Sequence, residues 1–143
     1  MILRILLLSI IIFTFFACTS SKQSKNGDSM SVMVKTESGL QYQDIETGSG
    51  KNPSDGDKVT IHLKISDEKG NIIENSYLTQ KPVVFTIGKE EVIKGLEEGV
   101  KGIKVGGKRK LIIPPEIGFG VRAFKNIPSN SNLIMEVELL EIK

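Results

Sequence analysis

The clearest pattern in the chain is an alternation of apolar and polar residues over 58–66. Every second residue is Val, Ile or Leu, and the residues between them are Thr, His, Lys or Ser. A period of two places all the apolar side chains on one face of an extended chain, so the pattern predicts a half-buried antiparallel strand. Further strands are predicted at 39–45, from Ile72 after a turn at 67–71, and at 82–87, 108–113 and 132–143.

One stretch has helical periodicity instead. Its apolar residues recur at spacings that place them on one side of a helix, and they are Val92, Ile93, Leu96 and Val100. Three glycines, at 95, 99 and 102, accompany them. Each interior glycine weakens a helix by about 1 kcal/mol relative to alanine. Packing against the sheet must therefore hold this helix in place.

Five or six strands and one helix predict an α+β fold, in which the helix covers one face of a mostly antiparallel sheet. Residues 116–132 are predicted to be a long loop that holds Phe119 and Phe124. Pockets in such folds form where a helix, the sheet and a long loop meet. The helix and the loop are therefore the expected walls of any pocket.

The N-terminus has a different character. Residues 2–17 are almost continuously apolar, and Arg4 is their only charge. The run is shorter than the roughly 20 residues that span a bilayer. A positive charge, an apolar stretch and a small residue before a break are typical of a secretory signal. We interpret residues 1–17 as a signal peptide, and a buried N-terminal helix is the alternative.

Cys18 is the only cysteine of the chain, so it cannot form an internal disulfide. The segment that ends in Ala17-Cys18 resembles a bacterial lipobox, although Phe15 and Phe16 depart from its usual Leu and small residue. The resemblance implies that Cys18 is lipidated and becomes the N-terminus. Ordinary secretion and an uncleaved anchor stay open. Residues 18–35, rich in Ser, Lys, Asn and Gly, are predicted to be a flexible tether, and 36–143 a single domain.

The charge pattern and the reactive residues limit the classes of function that the chain can have. The chain has 19 basic and 17 acidic residues. Its one compact basic run, 108–110, is interpreted as the solvated side of a strand, so nucleic-acid binding is not predicted. One histidine, His62, and one cysteine give no metal-binding or nucleophilic set. No cofactor and no metal are expected, and His62 is assigned no chemistry.

The stretch GKEEVIKGLEEGVKGIKVGGKRKLIIPPEIGFG at 88–120 lies between PVVFTI and LIMEVELLEIK. These residues resemble the FKBP-type peptidyl-prolyl isomerases, and the likeness extends over about 36–143. The resemblance implies an FKBP-like half-wrapped antiparallel β-sheet around one short α-helix, with an apolar active site between them. The chain lacks the long helical extension by which some exported relatives pair, so a monomer is expected.

The resemblance also implies the site residues. The backbone N–H of Ile93 would hold a substrate carbonyl, with Phe119 at the lip of the pocket and Glu74 at its rim. The remaining substrate-binding positions would be Leu63, Ile73, Val83, Val92, Leu96, Ile127 and Met135. This sequence departs from the family where aliphatic residues replace aromatic ones. The usual Trp of the pocket floor is Leu96, and Phe119 lacks the usual Tyr hydroxyl.

Two functions follow from these residues. The first is a membrane-tethered isomerase that acts on X-Pro bonds of exported polypeptides, on the periplasmic side of a bacterial membrane or at the cell surface. The second is a non-catalytic chaperone or interaction lipoprotein that reuses the fold. Periodicity alone makes Leu63, Val92, Leu96 and Met135 core residues, whichever function holds.

Overall fold

The computed structural model describes residues 32–143. The predicted signal peptide, Cys18 and most of the tether therefore lie outside the described residues. The described part forms one antiparallel sheet, two short α-helices and one 3₁₀ turn at Pro115–Ile117. The strands are β1 (Val34–Lys35), β2 (Gln41–Glu46), β3 (Lys58–Ser66), β4 (Ile72–Asn75), β5 (Val83–Thr86), β6 (Lys108–Ile113) and β7 (Leu133–Ile142), and the helices are α1 (Ser76–Thr79) and α2 (Lys94–Lys101).

The strand predicted from the strict alternation, β3, lies at the centre of the fold. It pairs with β7 along its whole length and with β4 and β5 on its other side. The order of the strands is β1-β2-β6-β7-β3-β4, with β5 also paired to β3. On the inner face Val59 and Ile61 are completely buried. The alternation of the sequence thus corresponds to the two faces of the sheet.

Helix α2 crosses the inner face and touches β6 through its glycines. A Cβ atom placed on Gly99 would lie 2.6 Å from Cδ1 of Leu111, and one on Gly95 would overlap Cγ2 of Ile113. Leu111 and Ile113 are fully buried and share one face of β6. The glycines that weaken the helix locally are therefore what allows it to lie so close to the sheet.

Arg109 is buried on the inner face, which corrects the interpretation of 108–110 as a wholly solvated run. Its Nε and Nη2 atoms donate to the Asp44 carboxylate at 2.6 and 3.1 Å. Its Nη1 and Nη2 atoms donate to the carbonyls of Gly99 and Gly102, each at 3.1 Å, and its guanidinium stacks on the Tyr42 ring. A cation at the C-terminal end of a helix is favoured by the helix dipole, so Arg109 joins α2 to β2.

The outer face of β3 carries α1, which the sequence pattern did not predict. The Tyr77 ring stacks on the His62 ring, with centroids 4.6 Å apart. The Ser76 hydroxyl lies 2.8 Å from Nδ1 of His62 and accepts the N–H of Leu63 at 2.8 Å. Asn75 caps the helix by accepting the N–H of Tyr77. The polar side of β3 is therefore covered by a short helix.

Two boundaries differ from the sequence prediction. Strand β1 pairs with β2, so the sheet includes Val34–Lys35, two residues that the predicted tether contained. Helix α2 begins at Lys94, and Ile93 is its N-cap with extended backbone angles. Apolar periodicity continues through Val92 and Ile93 although the chain there is not helical. Within 32–143 no helix has the length and apolar character needed to cross a membrane.

Candidate active site

A cavity of about 420 Å³ lies between α2, the sheet and the 116–132 loop. Its lining is mostly apolar, and all but two of the side chains that form it are uncharged. The lining residues are Leu63, Ile65, Glu74, Val83, Glu91, Val92, Ile93, Leu96, Phe119, Phe124 and Met135. An apolar cleft of this size with a few polar groups at its edge is typical of a small-ligand site.

The floor of the cavity is built from buried residues on neighbouring elements. Leu63 and Ile65 come from β3, and Met135 lies directly opposite Ile65 on β7. Leu96 reaches the same space from α2, and all four side chains are nearly inaccessible to water. None of these four side chains is aromatic. The surface of the floor is therefore formed by branched and flexible aliphatic groups.

Ile93 supplies a free backbone donor beside the cavity. As the N-cap of α2 it has φ −61° and ψ 145°, and its carbonyl accepts the N–H groups of Leu96 and Glu97 at 3.0 and 3.1 Å. Among the described residues, no acceptor is paired with the N–H of Ile93. An unpaired amide at a helix N-terminus is well suited to bind a carbonyl oxygen.

The segment before Ile93 is fixed by two carboxylates. Glu91 accepts the N–H of Thr86 at 2.8 Å, and Glu97 accepts the N–H of Gly88 at 2.6 Å. The first bond joins the end of β5 to the segment before α2, and the second joins the turn after β5 to the first turn of α2. The turn also needs left-handed backbone at Gly88 and Glu90. The position of the Ile93 amide is therefore set by hydrogen bonds on both sides of it.

The 116–132 loop folds over the cavity and brings two phenylalanine rings together. Phe119 and Phe124 stack with centroids 4.4 Å apart and an interplanar angle of 21°. Phe124 and Ile127 exchange backbone hydrogen bonds of 3.1 and 2.8 Å, so the residues between them form a tight turn. The N–H of Gly120 donates to Pro115 at 2.9 Å. The loop is therefore held in a compact conformation by its own hydrogen bonds and by the ring contact.

One ion pair links this loop to the sheet across the mouth of the cavity. Nζ of Lys125 lies 2.5 Å from Oε2 of Glu74. Glu74 belongs to β4 and pairs with Ile65 of β3. Both side chains remain substantially exposed, at 48% for Lys125 and 40% for Glu74. The pair therefore lies in contact with solvent at the rim.

The structure brings together most of the residues that the resemblance indicated. The cavity is lined by Ile93, Phe119, Glu74, Leu63, Val83, Val92, Leu96 and Met135. Two residues do not line it. Ile73 is partly buried against the core, and Ile127 is buried within the core at 2% exposure, where it closes the turn from Phe124. Both side chains therefore belong to the packing of the core and not to the cavity lining.

Three lining residues were not predicted from the sequence. Ile65 shares a face with Leu63, so the alternation of β3 could have indicated it. The sequence pattern predicts Phe124 only as part of the 116–132 loop and does not pair it with Phe119. Glu91 gave no signal, because its position depends on the turn between β5 and α2.

Proteins with similar sequences include FKBP-type isomerases and FK506-binding proteins. A profile described as FKBP-type peptidyl-prolyl cis-trans isomerase matches residues 49–140. FkpA of Escherichia coli K12, named as an isomerase of this type, is 45% identical over 111 residues, which are 77% of this chain and 40% of that protein. FK506-binding protein 3 of Debaryomyces hansenii is 38% identical over 105 residues, 73% of this chain and 24% of that protein. The chain spans less than half the length of these relatives.

Solved structures of such proteins have a similar fold. The crystal structure of FkpA from Escherichia coli has a TM-score of 0.72 at 41% identity, covering 78% of this chain and 51% of that one. The crystal structure of AtFKBP13 also has a TM-score of 0.72, at 33% identity, covering 78% of this chain and 99% of that one. The predicted FKBP-like α+β fold is confirmed.

Proposed function

Because this chain belongs to the family of FKBP-type peptidyl-prolyl cis-trans isomerases, we propose that its domain accelerates rotation about X-Pro peptide bonds. One observation carries the proposal. The N–H of Ile93, which has no partner among residues 32–143, borders an apolar cavity large enough for a prolyl ring and its neighbours. The N–H provides one fixed hydrogen-bond donor for a substrate carbonyl, in a site whose surroundings are mostly apolar.

The catalytic principle needs no acid, base or metal. Rotation about a peptide bond has a barrier of about 18 to 20 kcal/mol, because amide resonance must be broken. The planar amide is more charge-separated than the twisted one, so removal of water favours the twisted form. An apolar cavity therefore binds the transition state better than the ground state, and each 1.36 kcal/mol of difference gives about tenfold in rate.

In the proposed mechanism three parts of the site have separate roles. The Ile93 N–H donates to a substrate carbonyl and fixes the chain next to the proline. Phe119 and the aliphatic floor around Leu96 enclose the prolyl ring and exclude water. Glu74 bounds the cavity at its solvent side, where the polypeptide enters and leaves.

The test is NMR exchange spectroscopy on short X-Pro peptides with catalytic amounts of the full chain in detergent. We expect the cis/trans exchange rate to rise in proportion to protein concentration for peptides with apolar X. Phe119→Ala is expected to remove most of the acceleration, and Lys35→Gln, on the far edge strand β1, to leave it unchanged. No acceleration across several X residues would contradict the isomerase assignment.

The aliphatic floor favours a second candidate, a protein that binds proline-containing segments without catalysing their isomerisation. Leu96 and Met135 provide apolar area but no planar ring, so they grip a prolyl ring less specifically. Peptide binding detected by chemical-shift changes, together with exchange rates equal to those in buffer, would favour this candidate.

We further propose that the domain is tethered to a membrane through lipidated Cys18, with 18–35 as linker, and acts there as a monomer on exported polypeptides. The support is the sequence, because Cys18 lies outside the described residues. In bacterial cells, Cys18→Ser is expected to move the protein out of the membrane fraction or to block removal of residues 1–17. Ser20→Ala serves as the matched control. Unchanged fractionation of the Cys18→Ser variant would contradict lipidation.

A further inference from the structure

The mouth of the cavity carries an uneven distribution of charge. Among the described residues that line the cavity, only Glu74 and Glu91 are charged, and both are acidic. Lys125 of the 116–132 loop is paired with one of them, because its Nζ lies beside the Glu74 carboxylate. The charged groups of the cavity lining are therefore acidic, and the loop places one lysine against them.

The two carboxylates differ in how they are engaged. Glu91 accepts a backbone N–H from Thr86 at 2.8 Å and is thereby part of the turn before α2. Glu74 has Lys125 as its partner within the described part of the chain. An exposed ion pair of this kind contributes little to stability. Replacement of Lys125 by another cation on Glu74 therefore changes the stability of the fold little.

The two members of the pair also differ in how firmly they are held. Glu74 lies in β4, opposite Ile65 of the central strand. Lys125 lies in the tight turn between Phe124 and Ile127, with a left-handed φ of 52°. Its ammonium group stands at the end of a flexible four-carbon side chain. The carboxylate is thus the fixed partner, and the ammonium group is the one that can leave.

We propose that Glu74 is a specificity-determining residue, which selects polypeptides carrying Lys or Arg next to the proline, and that Lys125 occupies its carboxylate when no substrate is bound. Consecutive Cα atoms are about 3.8 Å apart, so the residues flanking a proline in the cavity lie at the mouth. A substrate cation replaces Lys125 on Glu74, whereas a substrate carboxylate meets both Glu74 and Glu91. The proposal rests on the proposed function, since it assumes that X-Pro segments enter this cavity.

The experiment measures kcat/KM by NMR exchange for matched peptides whose residue before, or in a second series after, the proline is Lys, Gln or Glu. With the full chain we expect the Lys peptide to exceed the Glu peptide by about three- to tenfold in at least one series, with Gln between them. The preference should shrink as salt is raised from about 0.01 M to about 1 M, because the Debye length falls from about 30 to about 3 Å.

Two charge-removing variants test the assignment to the pair. Glu74→Gln is expected to bring the Lys-to-Glu ratio close to one. Lys125→Gln is expected to increase that ratio, because the competing cation is removed. Glu37→Gln and Lys35→Gln, at the opposite edge of the sheet, are matched controls whose ratio should equal that of the unmodified chain. The ratio within each variant is the readout, so a general change in activity does not affect it.

The outcomes separate this proposal from the isomerase assignment. Equal rates for the Lys, Gln and Glu peptides, or a ratio unchanged by Glu74→Gln, would overturn the charge preference while leaving the isomerase function intact. A ratio that does not rise in Lys125→Gln would overturn the competing role of Lys125. If no peptide is accelerated, the same peptides are titrated by chemical shift. Tighter binding of the Lys peptide that is lost in Glu74→Gln then supports the preference, and its absence overturns it.

Discussion

The ring of Phe124 stacks on the ring of Phe119 with centroids 4.4 Å apart. Phe119 forms the lip of the cavity, whereas Phe124 lies in the exposed part of the loop at 36% exposure. The orientation of the lip therefore depends on a residue outside the core. Lys125 follows Phe124 in the chain and forms an ion pair with Glu74 on the sheet.

Phe124→Ala is expected to lower kcat/KM by about three- to tenfold. An aromatic pair contributes about 0.5–1.5 kcal/mol beyond its buried area, and its loss frees Phe119 to leave the productive orientation. Exchange spectroscopy measures the effect. Val121→Ala, at a position that is 80% exposed in the same loop, is the control and should behave like the unmodified chain. Equal activity of the two variants would contradict the role of the stack.

The Ile93 donor can be removed with little change of backbone shape. The φ of Ile93 is −61°, which matches the value that proline imposes, and proline has no N–H. Ile93→Pro is expected to be at least about tenfold less active than Ile93→Ala, since a hydrogen bond of about 1.5 kcal/mol corresponds to that factor. Thermal unfolding should first show that both variants are folded. Similar activity of the two would place the donor elsewhere.

Gly95→Ala is expected to destabilise the domain although alanine is the better helix former. The new Cβ would overlap Cγ2 of Ile113 and lie 3.3 Å from its Cβ, which cannot move away. Overpacking of a core costs about 1–3 kcal/mol and exceeds the gain in helix propensity of about 1 kcal/mol. Urea unfolding measures the change. Lys94→Ala, at an exposed position of the same helix, is the control, and a stabilised Gly95→Ala would refute the close approach.

Arg109→Lys is expected to lower the free energy of unfolding by about 2–4 kcal/mol. A lysine cannot reach the Asp44 carboxylate and both helix carbonyls at once, and hydrogen bonds to charged groups contribute about 1.5–3 kcal/mol each. Chemical denaturation tests this. Lys110→Gln changes a charge on the other face of β6 and should have an effect within about 0.5 kcal/mol. A similarly small effect for Arg109→Lys would show that its contacts are not needed.

The stability of the domain should fall at alkaline pH because of Tyr77. Burial first, and then the hydrogen bond to the Glu138 carboxylate, raise the pKa of Tyr77 above its ordinary value of 10.0. A raised pKa in the folded state stabilises the protein fully below the unfolded pKa, and the contribution is lost as the pH rises through the folded pKa. Between about pH 9 and about pH 11, the unmodified chain should lose more stability than Tyr77→Phe. Parallel stability curves would contradict this.

Much of the fold was accessible from the sequence because its signals are local. The alternation of β3 and the helical spacing around Leu96 each follow from side-chain direction within one element. The same signals placed most of the cavity-lining residues on inward faces. They failed for α1, because a four-residue helix has too few positions to show a period. They also extended the helix back through Val92 and Ile93, where apolar residues continue but the helix does not.

The sequence by itself determined where six of the seven described strands lie, which face of the central strand is apolar, and roughly where the single longer helix lies. Only the tertiary structure decided that Arg109 is buried, that Phe124 supports Phe119, and that Lys125 meets Glu74 across the mouth of the cavity. The residues of that last pair are 51 positions apart. This contact depends on the path that the loop takes back to the sheet. The local periodicity of the sequence does not indicate that path. The backbone N–H of Ile93 likewise has no partner among residues 32–143 only because α2 begins at Lys94.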